Sequence, residues 1–471
     1  MKSKSIILLY TFLFVTFEYF QANELTSSYQ ENDLEVTDKI SGVLEKIAQN
    51  LLQMNGKIVG NTTDDYEEKN GTSNDINRKP KLFQGDMVLN PNQAEDLLDK
   101  VVEKVESAGI QISEIIGEKR RRKRKINANM KLAWKFPILY FVEREVNGSL
   151  IDIALKLMES ETCIRFQRVY NIVSLEAGLR FFSGDGCYSS VGRRFTHSFQ
   201  DVSIGEGCDT IGTVQHETMH ALGSYHEQSR SDRDNYLKVF LENVEKENEY
   251  NFFKVEILAS VTYGTQYDYG STMQYTTNAF SINQKPTMWP IEPLYAKTLG
   301  VDSGLSFVDA KLLNSHYCMK KCPRQIWCDN GGYQDPNNCF KCKCVNGFVG
   351  NHCDNLSPDM MECGNTLRLV LNEKKLLHVM GKKDCIYHVK TIPGKKLKMT
   401  VKILIYFPGY KIHCKLENSL EIKYLIDKTV TGALLCLFDN STIVVSKNEH
   451  VIIHHRSTRV NNGVKLEIES I

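Results

Sequence analysis

The chain has 471 residues, too many for one hydrophobic core, and its length predicts roughly two to four domains. Hydrophobic residues make up 42% and aromatics 10%, enough to fold most of it. Lys and Arg (58) nearly cancel Asp and Glu (57), leaving +1, which argues against a nucleic acid or an anionic membrane surface as partner of the whole chain.

Lys2 and Lys4 precede an apolar run from Ile6 to Phe17, followed by Gln21-Ala22-Asn23. A basic start with about 12 apolar residues reads as a secretory signal over 1–22, because a membrane span needs ~20. No later apolar stretch is long enough to span a bilayer, so the mature chain is expected to be soluble and secreted. The 14 cysteines agree, being even in number and absent from the first 162 residues. Behind a signal peptide they imply a disulfide framework formed in an oxidising compartment. Sequons at Asn61, Asn70, Asn147 and Asn440 are candidate glycan sites.

Residues 23–124 are acidic and free of cysteine. Val36, Ile40, Val43, Ile47 and Leu51 recur at helical spacing, as do Leu97, Leu98, Val101, Val102 and Val105. The polar stretch between them, Asn61 to Lys79, reads as a loop or as disordered. The segment ends in Lys119-Arg120-Arg121-Arg122-Lys123-Arg124-Lys125. A basic run can be a solvated face or a nuclear signal, but a secreted chain does not reach the nucleus. Arg121-Arg122-Lys123-Arg124 is instead similar to sites cut by secretory proprotein convertases, with cleavage after Arg124.

From Trp134 to Cys318 the composition is globular. Ile151, Ala154, Leu155 and Met158 mark an amphipathic helix, and Ile138 to Val142 reads as a strand. The strongest signal is Val214-Gln215-His216-Glu217-Thr218-Met219-His220-Ala221-Leu222-Gly223-Ser224-Tyr225-His226. Histidines four apart on a helix project from one face, so both imidazoles can reach one metal. Gly223 permits a left-handed turn that ends the helix and lets His226 supply a third ligand. Three nitrogen ligands leave a position open for water, which is the catalytic arrangement of a single zinc. Glu217 sits about 100° around the helix from His216, placed to take a proton from that water without being a ligand.

The string resembles the metzincin signature, and its continuation, His226-Glu227-Gln228-Ser229-Arg230-Ser231-Asp232-Arg233-Asp234, is similar to astacins in particular. Tyr267-Asp268-Tyr269-Gly270-Ser271-Thr272-Met273-Gln274-Tyr275 resembles the astacin Met-turn. Further landmarks surround Cys163, Cys187 and Gly304-Leu305-Ser306-Phe307-Val308-Asp309. The resemblance implies a two-subdomain α+β catalytic domain over 125–319 with a deep active-site cleft. It places Met273 beneath the metal and makes Tyr275 a metal-proximal phenol that stabilises the transition state. It pairs Cys163 with Cys318 and Cys187 with Cys208. Phe83-Gln84-Gly85-Asp86 resembles the astacin propeptide motif, in which the aspartate takes the water's place on zinc. That implies a mainly helical propeptide over 23–124 with Asp86 as a ligand of the latent form only. A cut after Arg124 leaves Lys125 as the new amino end, which in mature astacins is buried towards the residue matching Glu227.

Six cysteines, with Asn330-Gly331-Gly332-Tyr333 and Gly347-Phe348-Val349-Gly350, resemble an EGF-like module over 320–354. It implies the pairs Cys322–Cys339, Cys328–Cys342 and Cys344–Cys353. Residues 363–471 resemble a CUB β-sandwich with Cys363–Cys385 and Cys414–Cys436, without the acidic cluster that binds calcium in some CUB domains. His450, His454 and His455 read as exposed strand histidines, since no acidic or cysteine partner is spaced with them.

The combined expectation is a secreted zinc endopeptidase acting on extracellular proteins and made as a zymogen, similar to nematode astacins. A different class, an adhesion or matrix-binding protein with a vestigial protease domain, is the alternative, and the intact ligands and Glu217 speak against it.

Overall fold

The computed structural model describes residues 33–44, 82–107, 133–172, 175–255, 261–409 and 412–471. The signal segment, Ile47, Leu51, the stretch 61–79 with Asn61 and Asn70, and the basic run with Arg124 and Lys125 lie outside these residues. No helix among the described residues is long and apolar enough to cross a membrane.

The described part of the leading segment is helix α1 (33–44), strand β1 (Met87–Val88) and helix α2 (Pro91–Ser107). Ile40, Leu44, Ala94 and Leu98 are the buried members of its helical stripes, and they pack with Phe83, Met87 and Leu89 against Val191 and Tyr250 of the following domain. The described part of this segment therefore shares its core with its neighbour.

That neighbour is built on a six-stranded sheet in the order β1-β5-β6-β4-β2-β3. Its strands are β2 (Ile138–Val142), β3 (Phe166–Arg168), β4 (Gly178–Phe182), β5 (Cys187–Ser190) and β6 (Phe199–Ile204). β1 adds to the edge strand β5 in parallel, with Met87 opposite Ser189 and Val88 opposite Ser190. Helix α3 (Gly148–Glu161) is capped by Asn147, whose side chain accepts from the Leu150 N–H, and it buries Ile151, Ala154, Leu155 and Met158. Helix α4 (Ile211–Ala221) is capped by Thr210 and buries Val214, Met219 and Ala221 in the same core. The second half is mostly turns around the antiparallel pair β7 (Leu237–Val239) and β8 (Met288–Pro290), closed by helix α5 (Phe307–Tyr317). The Cys163–Cys318 bond joins the domain's two ends, and Cys187–Cys208 bridges β5 to the loop after β6.

Beyond Cys318, three disulfides, Cys322–Cys339, Cys328–Cys342 and Cys344–Cys353, hold two short ladders: β9 (Tyr333–Gln334) with β10 (Cys342–Lys343), and β11 (Phe348–Val349) with β12 (Asn355–Leu356). The rest is a sandwich of two five-stranded sheets. One runs β13 (Leu367–Leu369), β15 (Asp384–Lys390), β21 (His450–Arg456), β17 (Ser419–Lys423), β18 (Ala433–Leu435). The other runs β14 (Lys375–Met380), β22 (Gly463–Ser470), β16 (Leu397–Tyr406), β19 (Leu437–Asp439), with β20 (Ile443–Val445) also on β16. Cys363–Cys385 and Cys414–Cys436 are bonded, and no cysteine is free.

The reading of His450, His454 and His455 as exposed is corrected. His454 is 5% and His455 0% exposed, and His450 is half-buried. β21 is flanked by β15 and β17, so both of its edges are paired. Val451 and Ile453 face the sandwich core. Of the alternate residues, Ile452 packs with the small disulfide module, and His450 lies 6.2 Å from the Phe348 ring of that module. His454 binds the Asp384 carboxylate and His455 the Tyr406 hydroxyl.

Candidate metal centre

α4 places His216 and His220 one turn apart on one face, with ring centroids 4.8 Å from each other. The helix ends where Gly223 adopts φ +104°, its N–H donating to the His220 carbonyl at 2.8 Å. An L side chain rarely adopts that backbone angle, so glycine is what lets the chain reverse and return His226 to the other two. The His226 ring stands 4.8 Å from His220 and 5.3 Å from His216.

Each imidazole is oriented from behind. The Nδ1 of His216 lies 2.7 Å from the Thr272 carbonyl, that of His220 2.8 Å from the Ser224 carbonyl, and that of His226 3.0 Å from Oε1 of Gln84. All three partners are acceptors, so each Nδ1 carries the proton and each Nε2 presents a lone pair inward.

The fourth group is Asp86. Its oxygens lie 3.0 Å from Nε2 of His226, 3.2 Å from that of His216 and 3.5 Å from that of His220. One ligand atom from each of the four residues lies within 4.8 Å of the others. Zinc–nitrogen bonds of ~2.0 Å in a tetrahedron put ligand atoms ~3.3 Å apart, so the donor set has the size of that ion. The buried Nε2 of His220 and Oδ1 of Asp86 also have no hydrogen-bond partner. Three inward lone pairs and a carboxylate would repel one another without a cation, and that cation would satisfy both orphaned atoms.

Asp86 reaches the centre through a tight turn. Phe83 and Met87 exchange backbone hydrogen bonds at 2.9 and 3.0 Å, and Gln84 and Gly85 between them are both left-handed at φ +50° and +83°. A Cβ on Gly85 would meet the Phe280 ring at 2.7 Å.

Glu217 lies beside the ligands and is 1% exposed, and its Oε2 has no hydrogen-bond partner. Burial pushes its pKa up, against the opposing pull of His216. Tyr275 stands 4.5 Å from the His226 ring, and its hydroxyl donates to the Gln84 carbonyl. Met273 is buried in the same core as Val214 and Met219 of α4, its carbonyl accepting from the Glu227 N–H at 2.9 Å. Glu227 accepts from the Asp268 N–H at 2.9 Å and pairs with Arg230 at 3.0 Å, while burial raises its pKa to about 8. Residues whose support of the site was not read from sequence are Gln84, which orients His226, and Gln228, whose Oε1 accepts from the Tyr275 N–H at 3.1 Å. Gln84 lay inside a motif read for its aspartate, and Gln228 directly follows Glu227.

A mixed sheet, a helix bearing two histidines, a glycine reversal to a third and a Met-containing turn whose Thr272 carbonyl orients His216 define a metzincin-type zinc centre. A profile of the astacin peptidase family matches residues 126–318. Zinc metalloproteinase nas-34 of Caenorhabditis elegans is 34% identical over 410 residues, covering 86% of this chain and 66% of that protein. Zinc metalloproteinase nas-36 of Brugia malayi is 32% identical over 420 residues, covering 82% of this chain and 70% of that protein. The chain belongs to the astacin family. It spans 47% of another relative, nas-37 of C. elegans, so these relatives extend beyond what it matches. Among solved structures, high choriolytic enzyme 1, a hatching-enzyme zinc protease of the medaka fish, is 35% identical over 40% of this chain and 96% of its own, with a TM-score of 0.36.

Proposed function

We propose that this is the latent form of a secreted zinc endopeptidase that hydrolyses internal peptide bonds of extracellular proteins. The observation that carries the reading is the Asp86 carboxylate set among the three Nε2 atoms, where a water would otherwise stand. His216, His220 and His226 would hold a zinc ion, which would supply Lewis-acid chemistry and make a water more acidic. Glu217 is placed beside them to accept a proton from the attacking water and return it to the departing amine. Its buried, unpartnered oxygen keeps the carboxylate ready as an acceptor. The Tyr275 hydroxyl, now donating to the carbonyl of Gln84, donates to the substrate carbonyl as charge develops there.

In this reading residues 1–22 are the signal, 23–124 the propeptide, 125–319 the catalytic domain, 320–354 an EGF-like module and 363–471 a CUB domain. A convertase cut after Arg124 withdraws Asp86 and Gln84 together and frees Lys125 to approach Glu227. The sequons at Asn147 and Asn440, both exposed, are glycosylated on the secretory route.

The test compares processed wild type with Glu217→Ala on casein, with zinc measured in both. The wild type degrades casein, and the variant keeps zinc but is slower by at least about 10³-fold. Asp86→Ala should be active before processing, whereas the unprocessed wild type is silent. A processed, zinc-loaded wild type that cleaves nothing in a broad peptide library would overturn the catalytic reading in favour of a matrix-binding protein.

A further inference from the structure

The leading segment withdraws a second charge besides Asp86. Beyond β5 the chain continues through Gly192, Arg193 and Arg194, and helix α1 is tied to the end of β1, where Thr37 exchanges hydrogen bonds with the Leu89 backbone at 3.0 and 3.1 Å. Arg193 is committed to backbone: its guanidinium donates to the carbonyls of Ala133, Phe195 and Thr196 and lies over the Trp134 ring. Arg194 has a different partner. Among the described residues its ion pair is with Asp33, the first residue of α1 and part of the leading segment. The two side chains are 9% and 5% exposed, so the pair is formed away from water.

The rest of Arg194 is fixed by the catalytic domain. Its N–H donates to Oε1 of Gln200 at 2.9 Å, and Nε2 of Gln200 donates to the Gly192 carbonyl at 3.0 Å. The guanidinium stacks over Phe195 at 5.5 Å, and its Nη1 is buried without a hydrogen-bond partner. Removing the leading segment therefore leaves a positioned guanidinium a few residues beyond β5, with its carboxylate partner gone. The same removal opens β5 and the residue after it, where the Ser189 and Val191 N–H groups now donate to the Asp86 and Val88 carbonyls. An extended peptide that takes over this edge by strand addition runs past Arg194. A guanidinium in such a place favours a carboxylate, which it can meet with two parallel hydrogen bonds.

We propose that Arg194 is a specificity-determining residue that selects an acidic side chain in the peptide, several residues from the scissile bond, and that Asp33 stands in for that side chain in the latent form. The inference rests on the reading above in taking the leading segment as removable and a peptide as the ligand, but its test does not need turnover. The processed full-length chain is prepared as Glu217→Ala with zinc bound. Fluorescent Ala-rich decapeptides carrying one Glu, or one Gln, at each successive position are titrated by anisotropy.

At one position Glu should bind roughly 10- to 100-fold more tightly than Gln, as for a charge-assisted hydrogen bond. Arg194→Gln should bring that ratio to about one while leaving the Gln peptide's affinity unchanged, and Arg194→Lys should keep part of it. A Glu-to-Gln ratio near one at every position, or a ratio that survives in Arg194→Gln, overturns the proposal. Should Arg194→Gln not fold, Arg194→Lys decides in its place: a reduced Glu-to-Gln ratio there supports the guanidinium contact, and an unchanged ratio overturns it. If processed protein with Glu217 intact cleaves nothing while the ratio holds, endopeptidase activity fails and acidic-peptide recognition stands.

Discussion

Glu421 lies on β17, 3% exposed, and takes hydrogen bonds and charge from three directions. Its Oε1 accepts from the Gly432 N–H at 2.7 Å, its Oε2 meets Nη2 of Arg456 at 2.8 Å, and Lys423 stands at 3.5 Å. Burial alone would raise its pKa, but Lys423, Arg456 and His454 outweigh it and hold the carboxyl well below the ordinary range. A depressed carboxyl pKa stabilises the fold above the unfolded value of about 4.3, and that stability is lost as pH falls below it. The unfolding temperature of the sandwich should therefore drop between about pH 4.3 and pH 2. Glu421→Gln should flatten the dependence in that window and lose about 3 kcal/mol at neutral pH, where Arg456 is left buried without its charge partner. Scanning calorimetry at stepped pH checks it, and an unchanged acid limb in the variant would count against this group as its source. The same network explains why the histidines of β21 were misread. Their partners, Asp384 and Glu421 for His454 and Tyr406 for His455, come from other strands, which a scan for nearby ligand residues does not see.

At the scale of the element, the N-terminus of α5 and the Met-turn are one unit. The Asp309 carboxylate accepts from the Ser306 N–H at 3.0 Å, while the Ser306 side chain caps the Asp309 N–H in return. It also accepts from the Thr272 N–H at 2.9 Å and the Ser271 hydroxyl at 2.6 Å. Thr272 in turn holds Nδ1 of His216. Asp309→Ala removes the N3 half of the capping box and leaves the Ser306 N–H, Thr272 N–H and Ser271 hydroxyl without their acceptor, which should cost about 2–4 kcal/mol of stability. Because it also loosens the carbonyl behind a metal ligand, zinc affinity should fall by about 10-fold or more in a chelator competition. Asp309→Asn should recover part of both, and normal zinc affinity in a destabilised Asp309→Ala protein would show that cap and metal floor are independent. Much of this element was legible. The spacing of His216, His220 and His226, Gly223 after the helix, and Phe83 to Asp86 are local patterns whose geometry follows from a helix turn or a short reversal. The tie from Asp309 to the Met-turn was not, because Ser271 and Asp309 are 38 residues apart and nothing in either stretch names the other.

Across the whole molecule, the C-terminal sandwich is joined to the back of the metal domain. Tyr267, Tyr269, Tyr295 and Leu299 of that domain share one buried apolar cluster with Tyr387, Leu420, Tyr424 and Leu434 of the sandwich. Polar contacts cross the same boundary. Asp268 accepts from the N–H and hydroxyl of Thr431 at 2.9 and 3.2 Å, Thr298 accepts from the Leu434 N–H at 2.9 Å, and Glu292 pairs with Lys447 at 2.6 Å. Asp268 is the residue whose N–H holds Glu227, so the sandwich braces the floor of the metal site through one intervening residue. None of this could be read from sequence, since Asp268 and Thr431 are 163 positions apart. Cysteine spacing marked the sandwich as a separate module, yet the shared core predicts that its unfolding is coupled to its neighbour's. The processed protein should show coincident transitions for zinc release and for loss of sandwich structure. Thr298→Val with Thr431→Ala should lower that shared transition, each change costing about 1 kcal/mol from a lost buried hydrogen bond. The joint apolar core remains in the double variant, so the two signals should still move together. A chain ending after the small disulfide module would expose Tyr295 and Leu299, and it should lose zinc at a markedly lower temperature than the full chain. Equal zinc-release temperatures for the two would show that the metal domain stands alone and that the contact through Asp268 adds nothing to it.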